Sequence, residues 1–163
     1  SLPSRGLGDV YKRQEERNKL WKARWDVYYS VKALINNGRV YSTDVCLPIS
    51  RITECVNFAE EETKKLGLRA PMVGHLGDGN FHVILPYDPK EEGTYNKIRD
   101  FSDLLIKKTL ELNGTITGEH GVGLHKKAYL LQEHRDSIPL MRTIKRSIDQ
   151  NNIMNPGKIF DLN

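Results

Sequence analysis

Residues 75–82, with the sequence HLGDGNFH, constrain the fold of this 163-residue chain more than any other stretch. Asp78-Gly79 is a strong hairpin signal, because a two-residue type I′ turn needs positive φ at both central positions. With these two residues at the centre of the turn, His75 pairs with His82, and both side chains point to one face with Cβ atoms about 5 Å apart. The pattern predicts either half of a metal site or an incidental polar pair.

Length and composition limit the classes of protein that this chain can belong to. The length suits a single domain with a real core. The net charge is +4 and Lys and Arg are spread along the chain, so no basic stripe indicates nucleic-acid binding. No apolar run approaches the ~18 residues of a membrane span or resembles a signal peptide. The two cysteines, Cys46 and Cys55, suit small buried residues in a reducing compartment.

Residues 1–14 give no fold signal, and we expect an unstructured or foreign tail followed by one domain at 15–163.

The order of the periodic segments predicts the fold class. A strand, a helix, the hairpin, a second helix and a short strand follow one another in the order βαββαβ, at 40–47, about 50–66, 71–85, about 94–112 and 115–117. An additional helix precedes this core at 15–36, and further helices follow it. This order is typical of an α+β fold with a ferredoxin-like core. Ser50 is expected to cap the helix that follows the first strand.

The alternation along the second hairpin strand predicts which residues face the helices. Phe81, Val83 and Leu85 are expected to face them, whereas Asn80 and His82 lie on the opposite face of the sheet. Both helices of a ferredoxin-like core cover the same face of the sheet. We therefore expect the face with the histidines to be open, so that another element or partner docks there.

A glycine-rich segment, GEHGVG at 118–123, follows the last predicted strand. Its Glu119 can reach the open face, where it would join His75 and His82. Two imidazoles and one carboxylate suit zinc, manganese, iron or cobalt and leave coordination positions open. His120 lies between glycines, where a catalytic base would need access; a surface loop with polar residues is the alternative. Arg24 lies on the apolar stripe of the first helix, where it either snorkels or binds an anion.

Five motifs then point to a known family. They are WKAR at 21–24, YSTDVCLP at 41–48, GHLGDGNFH at 74–82, TGEHGVG at 117–123 and MNPGK at 154–158. Together, and in this order, they resemble the C-terminal domain of FAD-linked 2-hydroxyacid dehydrogenases. This family includes flavin-type D-lactate dehydrogenase, glycolate oxidase and D-2-hydroxyglutarate dehydrogenase, and the likeness is greatest to the first. The resemblance implies a substrate domain that closes over the isoalloxazine ring of FAD.

The resemblance also implies roles for individual residues. His75, His82 and Glu119 would hold a divalent metal, with zinc or manganese favoured. His120 would be the general base that takes the proton of the substrate hydroxyl, and Arg24 would bind the substrate carboxylate. Asn155 lies in the tail that would run back toward FAD. The implied reaction is oxidation of a 2-hydroxy acid to the 2-oxo acid with hydride transfer to flavin.

The resemblance leaves substrate, partners and compartment as expectations. Apolar Val83-Ile84 favour a short monocarboxylic substrate such as D-lactate. Nothing in the chain resembles the pyrophosphate loop of an FAD-binding domain, so we expect a fragment that binds metal, partners with an FAD-binding domain and an electron acceptor, and is inactive alone. The family implies bacterial cytoplasm or mitochondria. A free-standing ferredoxin-like metal-binding or regulatory module is the main alternative, and a metal-dependent hydrolase is a weaker one.

Overall fold

The computed structural model describes residues 14–162, so all but Gln14 of the predicted tail at 1–14 lies outside the described residues. Gln14 begins the first helix. In chain order the elements are α1 (Gln14–Lys32), β1 (Arg39–Ser42), β2 (Val45–Cys46), α2 (Ile52–Lys65), β3 (Met72–His75), β4 (Asn80–Tyr87), α3 (Thr94–Glu111), α4 (Lys127–Glu133) and α5 (Ile138–Ile148).

The sheet is antiparallel and is built around β4. On one side β4 pairs with β3, and on the other it pairs with β1 and β2. A single bridge between Cys46 and Thr115 extends the sheet beyond β2. The first strand thus lies between the second hairpin strand and the last extended segment, as in a ferredoxin-like core. The predicted α+β class is confirmed.

The core lies between one face of β4 and the helices α2 and α3. Phe81, Val83 and Leu85 are fully buried, as the alternation along β4 predicts. They pack in one cluster with Cys55 and Ala59 of α2 and with Ile98, Phe101 and Leu105 of α3. Burying each large apolar side chain contributes about 1.5–3 kcal/mol, so this face fixes which side of β4 turns toward the helices.

The predicted register of the hairpin is wrong by two residues. His75 pairs with Asn80, and His82 pairs with Val73. The turn is longer than a two-residue type I′ turn because residues 76–78 form a 3₁₀ turn that ends at Gly79, whose φ is +83°. A shift of two residues preserves the face of every side chain, whereas a shift of one would reverse it. His75 and His82 therefore still share one face, as diagonal neighbours and not as a direct pair.

Three further local predictions need correction. The first strand is not continuous over 40–47, because its ladder to β4 is interrupted at Thr43-Asp44. Residues 115–117 do not form a regular strand, since only the bridge at Thr115 pairs them with the sheet. Ser50 lies within a 3₁₀ turn, and α2 begins without a side-chain cap.

Helix α1 docks over part of the sheet face that carries the histidines, so this face is only partly open. Helix α1 contacts β1 and β4, and residues of α1 and of the glycine-rich segment lie over this face beside His75 and His82. In α1 only Val31 is buried among the described residues, and the predicted apolar stripe, including Leu20, Trp21 and Trp25, is exposed.

The structure also bears on the expectations for the two cysteines and for a membrane-spanning segment. Cys55 is fully buried, whereas Cys46 is partly buried and its thiol donates to the backbone carbonyl of Asp78. Among the described residues no helix combines the length and apolar character that crossing a membrane requires.

Candidate functional site

His82 lies at the centre of the site, buried on the face of β4 opposite the core. Its Nδ1 is 2.9 Å from the backbone carbonyl oxygen of Thr43, and because a carbonyl only accepts, Nδ1 donates. That carbonyl is available because the Thr43 hydroxyl replaces it in the ladder, accepting the Val83 amide at 2.9 Å. The interruption between β1 and β2 therefore fixes the orientation of the His82 ring.

The other ring nitrogen of His82 faces a carboxylate. Nε2 lies 2.9 Å from Oε1 of Glu119. With Nδ1 carrying a hydrogen, Nε2 of a neutral imidazole has a lone pair, so two acceptor atoms would face each other at this distance. Either a proton or a cation must lie between them. A nitrogen and a carboxylate oxygen are ligands that zinc and manganese accept, so this pair fits a divalent metal.

Glu119 also connects His82 to the two remaining histidines of the site. Its Oε2 lies 4.0 Å from Nε2 of His75, and its Oε1 lies 3.6 Å from Nε2 of His120. The carboxylate is about half exposed, so it can be reached from solvent. The structure thus brings the three predicted metal ligands together, with the Glu119 carboxylate between His75 and His82.

His75 is held by Arg24, which reaches it from α1. One guanidinium nitrogen of Arg24 lies 2.8 Å from His75 Nε2. Because a guanidinium only donates, His75 accepts through this nitrogen. His75 can therefore bind a metal through Nε2 only when its hydrogen bond with Arg24 is broken. Arg24 also lies over the ring of Trp21, with 5.5 Å between the guanidinium carbon and the ring centroid.

His120 is the most exposed of the three histidines in the cluster. Its ring stacks on that of His82, with centroids 5.0 Å apart and planes 15° apart. About half of its side chain is exposed, in contrast to His82. An imidazole that is exposed on one side and packed on the other is suited to exchange a proton with a bound molecule.

These side chains line one cavity of about 490 Å³ between α1 and the sheet. Its apolar wall comes from α1, β3 and β4 and includes Trp25, Tyr28, Val73 and Ile84. Of the predicted Val83-Ile84 pair only Ile84 lines the cavity, because Val83 points into the core. The cavity therefore combines a charged end with an apolar wall.

Asp44 is a site residue for which sequence reasoning predicts no role. It is buried, and its carboxylate accepts from the Thr117 hydroxyl at 2.8 Å, the His120 amide at 3.0 Å, the Glu119 amide at 3.2 Å and Lys126 Nζ at 3.2 Å. Burial alone would raise the pKa of this carboxyl, but these hydrogen bonds and the charge of Lys126 hold its pKa well below the usual range.

Asp44 also has oxygen atoms close to two of the histidines. Asp44, His82 and His120 place possible ligand atoms within 4.8 Å of one another. The His82 nitrogen that lies near Asp44 is Nδ1, at 3.9 Å from Oδ1, and its hydrogen is donated to the Thr43 carbonyl. The Asp44 carboxylate is also paired with Lys126, whereas Glu119 faces the other nitrogen of His82. We therefore assign metal binding to Glu119 and not to Asp44. In the sequence, only the position of Asp44 in YSTDVCLP marked it.

Asn80 and Asn155 occupy different positions relative to the cluster. Asn80 is buried beneath Gly118, where an added Cβ would lie 2.6 Å from the amide oxygen, and residues 14–162 provide no hydrogen-bond partner for that oxygen. Asn155 lines a separate cavity of about 230 Å³ formed by the tail. The tail is nevertheless joined to the glycine-rich segment, since the Ile159 amide donates to the Gly123 carbonyl at 2.8 Å.

The chain matches a known protein family. Residues 3–159 match the family described as FAD linked oxidases, C-terminal domain. The chain belongs to this family. It is 40% identical over 150 residues to a probable mitochondrial D-lactate dehydrogenase of Danio rerio, covering 91% of this chain and 30% of that protein.

Two further relatives extend the comparison. Mitochondrial D-lactate dehydrogenase [cytochrome] 1 of Saccharomyces cerevisiae is 38% identical over 91% of this chain and 26% of its own length. Glycolate oxidase subunit GlcD of Bacillus subtilis is 35% identical over 72% of this chain and 25% of its own length. The FAD-linked oxidase domain thus spans less than a third of the length of these relatives.

Proposed function

We propose that this chain is the substrate- and metal-binding domain of an FAD-dependent D-2-hydroxyacid dehydrogenase, with D-lactate as the substrate. The observation that carries the proposal is the convergence of His75, His82, Glu119 and His120 with Arg24 at one cavity. This set combines ligands for a cation, a base and a cationic group for a carboxylate.

The divalent metal, zinc or manganese, would be held by His82 and Glu119 together with His75. The two facing acceptor atoms of His82 and Glu119 support this assignment. When bound, such a cation supplies Lewis acidity to the hydroxyl and carboxylate oxygens of a 2-hydroxy acid. The hydrogen bond from His82 Nδ1 to Thr43 keeps Nε2 available as the ligand atom, as is common for metal-binding histidines.

Arg24 and His120 would act on the substrate directly. Arg24 can turn from His75 to a substrate carboxylate, because a bidentate charge-assisted contact is stronger than its hydrogen bond to a neutral imidazole. His120 would accept the proton of the substrate hydroxyl, since histidine exchanges protons near neutral pH and its ring is accessible. FAD would supply the oxidising power by accepting hydride from the substrate carbon.

The wall of the cavity supports a monocarboxylic substrate. Trp25, Val73 and Ile84 offer no cation for a second carboxylate, and burying a carboxylate against apolar atoms without a partner is unfavourable. The methyl group of lactate can be placed there without such a cost. Relatives named D-lactate dehydrogenase support the same substrate.

The remaining parts of the enzyme would come from outside the described residues. The family implies an FAD-binding domain as a partner, and an electron acceptor must reoxidise the flavin. Asn155 would face FAD from the tail. Relatives named as mitochondrial support mitochondria as the compartment. The bacterial cytoplasm is the alternative.

The first test is the metal content of the purified chain. We expect about one metal ion per chain, lost in His75→Ala, His82→Ala and Glu119→Ala. His134→Ala is the matched control, because His134 also contacts a glutamate, Glu133, but does not line the cavity. Retention of metal in the three site variants would refute the proposed ligand set.

The second test addresses activity. Combining the chain with the FAD-binding domain of a relative should give D-lactate-dependent reduction of an electron-accepting dye. Metal binding without such reduction would favour the free-standing regulatory module. Turnover of an ester or amide by the chain without flavin would favour the metal-dependent hydrolase.

A further inference from the structure

Asp44 connects three parts of the site that are far apart in sequence. It follows Thr43, whose carbonyl orients His82. The registers of β1 and β2 place Asp44 directly beside His82, which lies on the neighbouring strand β4. From there its carboxylate accepts the backbone amides of Glu119 and His120. The glycine-rich segment is therefore fastened to the sheet at the two residues whose side chains carry the proposed chemistry.

Other contacts hold the Asp44 carboxylate in place. The Thr117 hydroxyl donates to it at 2.8 Å. Lys126 donates to the same carboxylate, to the Asp44 carbonyl at 3.1 Å and to the Ile116 carbonyl at 2.9 Å. Since both charged groups are largely buried, each would be costly without the other. The pair thus forms a stable base for the segment that follows Thr117.

Apart from the contact of Glu119 with His82 and the stacking of His120 on His82, few contacts among the described residues hold the glycine-rich segment at this point. No regular strand includes residues 118–120, and Gly118 fits only because it lacks a Cβ over the Asn80 amide. The side chains of Glu119 and His120 are about half exposed. The two amide hydrogen bonds to Asp44 therefore hold the backbone from which these side chains reach His82.

We propose that Asp44 is a positioning residue that holds Glu119 and His120 against His82, so that one buried carboxylate assembles the metal ligand and the base. This inference rests on the proposed function for its chemical meaning, but the positioning can be measured without it. Partners that orient metal ligands without binding the metal typically change metal affinity by 10- to 100-fold when they are removed.

The chain contains a matched control for this role. Asp149 is likewise buried, pairs with a lysine, Lys145, and accepts two backbone amides, those of Ile153 and Met154, at 2.9 Å. It does not line the histidine cavity. Asp149→Asn therefore reproduces the loss of a buried ion pair and of a carboxylate that accepts two backbone amides, without removing a side chain that lines the histidine cavity.

The experiment compares the 163-residue chain with its Asp44→Asn and Asp149→Asn variants, below the unfolding temperature of each. Amide hydrogen exchange at Glu119 and His120 is measured without metal, and Zn²⁺ and Mn²⁺ affinities are measured by titration calorimetry. We expect Asp44→Asn to accelerate exchange at both amides and to weaken metal binding by about 10- to 100-fold. Asp149→Asn should leave both quantities within about twofold of the original chain.

If Asp44→Asn does not fold, a second pair of variants, each lacking a single hydrogen bond, tests whether Asp44 positions the segment. Thr117→Val removes one donor to Asp44 but keeps the ion pair, and we expect faster exchange at His120 and metal binding weakened by about fivefold. Thr143→Val, which loses a hydrogen bond to the Pro139 carbonyl within α5, is its control and should change neither.

The outcomes separate the two proposals. Unchanged exchange at Glu119 and His120 in the Asp44 and Thr117 variants would overturn the positioning role, as would unchanged metal affinity. If the original chain binds neither metal, the proposed metal site fails, whereas the exchange rates still decide whether Asp44 holds the segment.

Discussion

Gly79 offers a sharp test of how the histidine hairpin is built. It ends the 3₁₀ turn with φ of +83°, a conformation that costs a residue with a Cβ about 1–2 kcal/mol. A Cβ built there would lie 2.1 Å from the Leu47 carbonyl oxygen. The backbone of Leu47 would have to move by roughly 1 Å or more, which disrupts the 2.9 Å hydrogen bond from the Leu47 amide to the Gly79 carbonyl.

Gly67 provides the matched control for Gly79→Ala. Its φ is +67°, and nothing lies within 4 Å of an added Cβ. Both substitutions reduce the entropy of the unfolded chain equally, so this contribution cancels in the comparison. We expect Gly67→Ala to lower the free energy of unfolding by about 1 kcal/mol. Gly79→Ala should lower it by about 2–3 kcal/mol more, from the lost hydrogen bond and the displaced buried backbone.

The assay is urea denaturation of both variants, followed by circular dichroism. Metal affinity should also fall in Gly79→Ala, because the turn sets the positions of β3 and β4. Equal destabilisation by the two substitutions would refute the close approach between Gly79 and Leu47. An unchanged metal affinity in a destabilised Gly79→Ala chain would show that the hairpin turn does not control the site.

Three further predictions concern acid stability, substrate binding and the fit of the glycine-rich segment. Hydrogen bonds, above all from Lys145, lower the pKa of Asp149 to about 2, so its stabilisation is full above about pH 4 and is lost as the pH falls toward 2. Thermal melts from pH 7 to 2 should show Asp149→Asn destabilised at pH 7, with the difference vanishing near pH 2; a constant difference would contradict this. In the enzyme completed with an FAD-binding domain, steady-state kinetics of Arg24→Met should give a KM for D-lactate raised by about 10- to 100-fold, and an unchanged KM would exclude the carboxylate contact. Gly118→Ala should weaken metal binding measured by calorimetry, because its Cβ meets the Asn80 amide at 2.6 Å, whereas Gly77→Ala, with no atom within 4 Å, should not; equal affinities would contradict the tight fit.

The side of the sheet on which the histidines lie could be predicted from the sequence, although their register could not. Alternation along β4 is enforced by the burial of Phe81, Val83 and Leu85, so the face of His82 follows from local pattern. The register depends on the length of the turn, and Asp78-Gly79 are equally compatible with a two-residue turn and with the end of a 3₁₀ turn. Local sequence does not distinguish these alternatives.

The role of Asp44 and the cover over the histidine face required the three-dimensional structure. Asp44 and the amides that it accepts are separated by more than seventy residues, and no periodicity links them. The interruption of the first strand arises because the Thr43 hydroxyl takes over a ladder hydrogen bond, which a threonine in an ordinary strand does not do. The Arg24 stripe was predicted from helical spacing alone, and its apolar members are largely exposed in the described residues.

The hydrogen bond between Ile159 and Gly123 has a practical consequence for protein engineering. It makes the end of the glycine-rich segment depend on the last residues of the chain. Arg142 and Arg146, which donate to the carbonyls of Asp161 and Leu162, anchor the same residues to α5. A purification tag or a truncation next to Leu162 would therefore disturb the contacts that hold the end of the glycine-rich segment. A fusion in the exposed loop around Gly93 would leave these contacts intact.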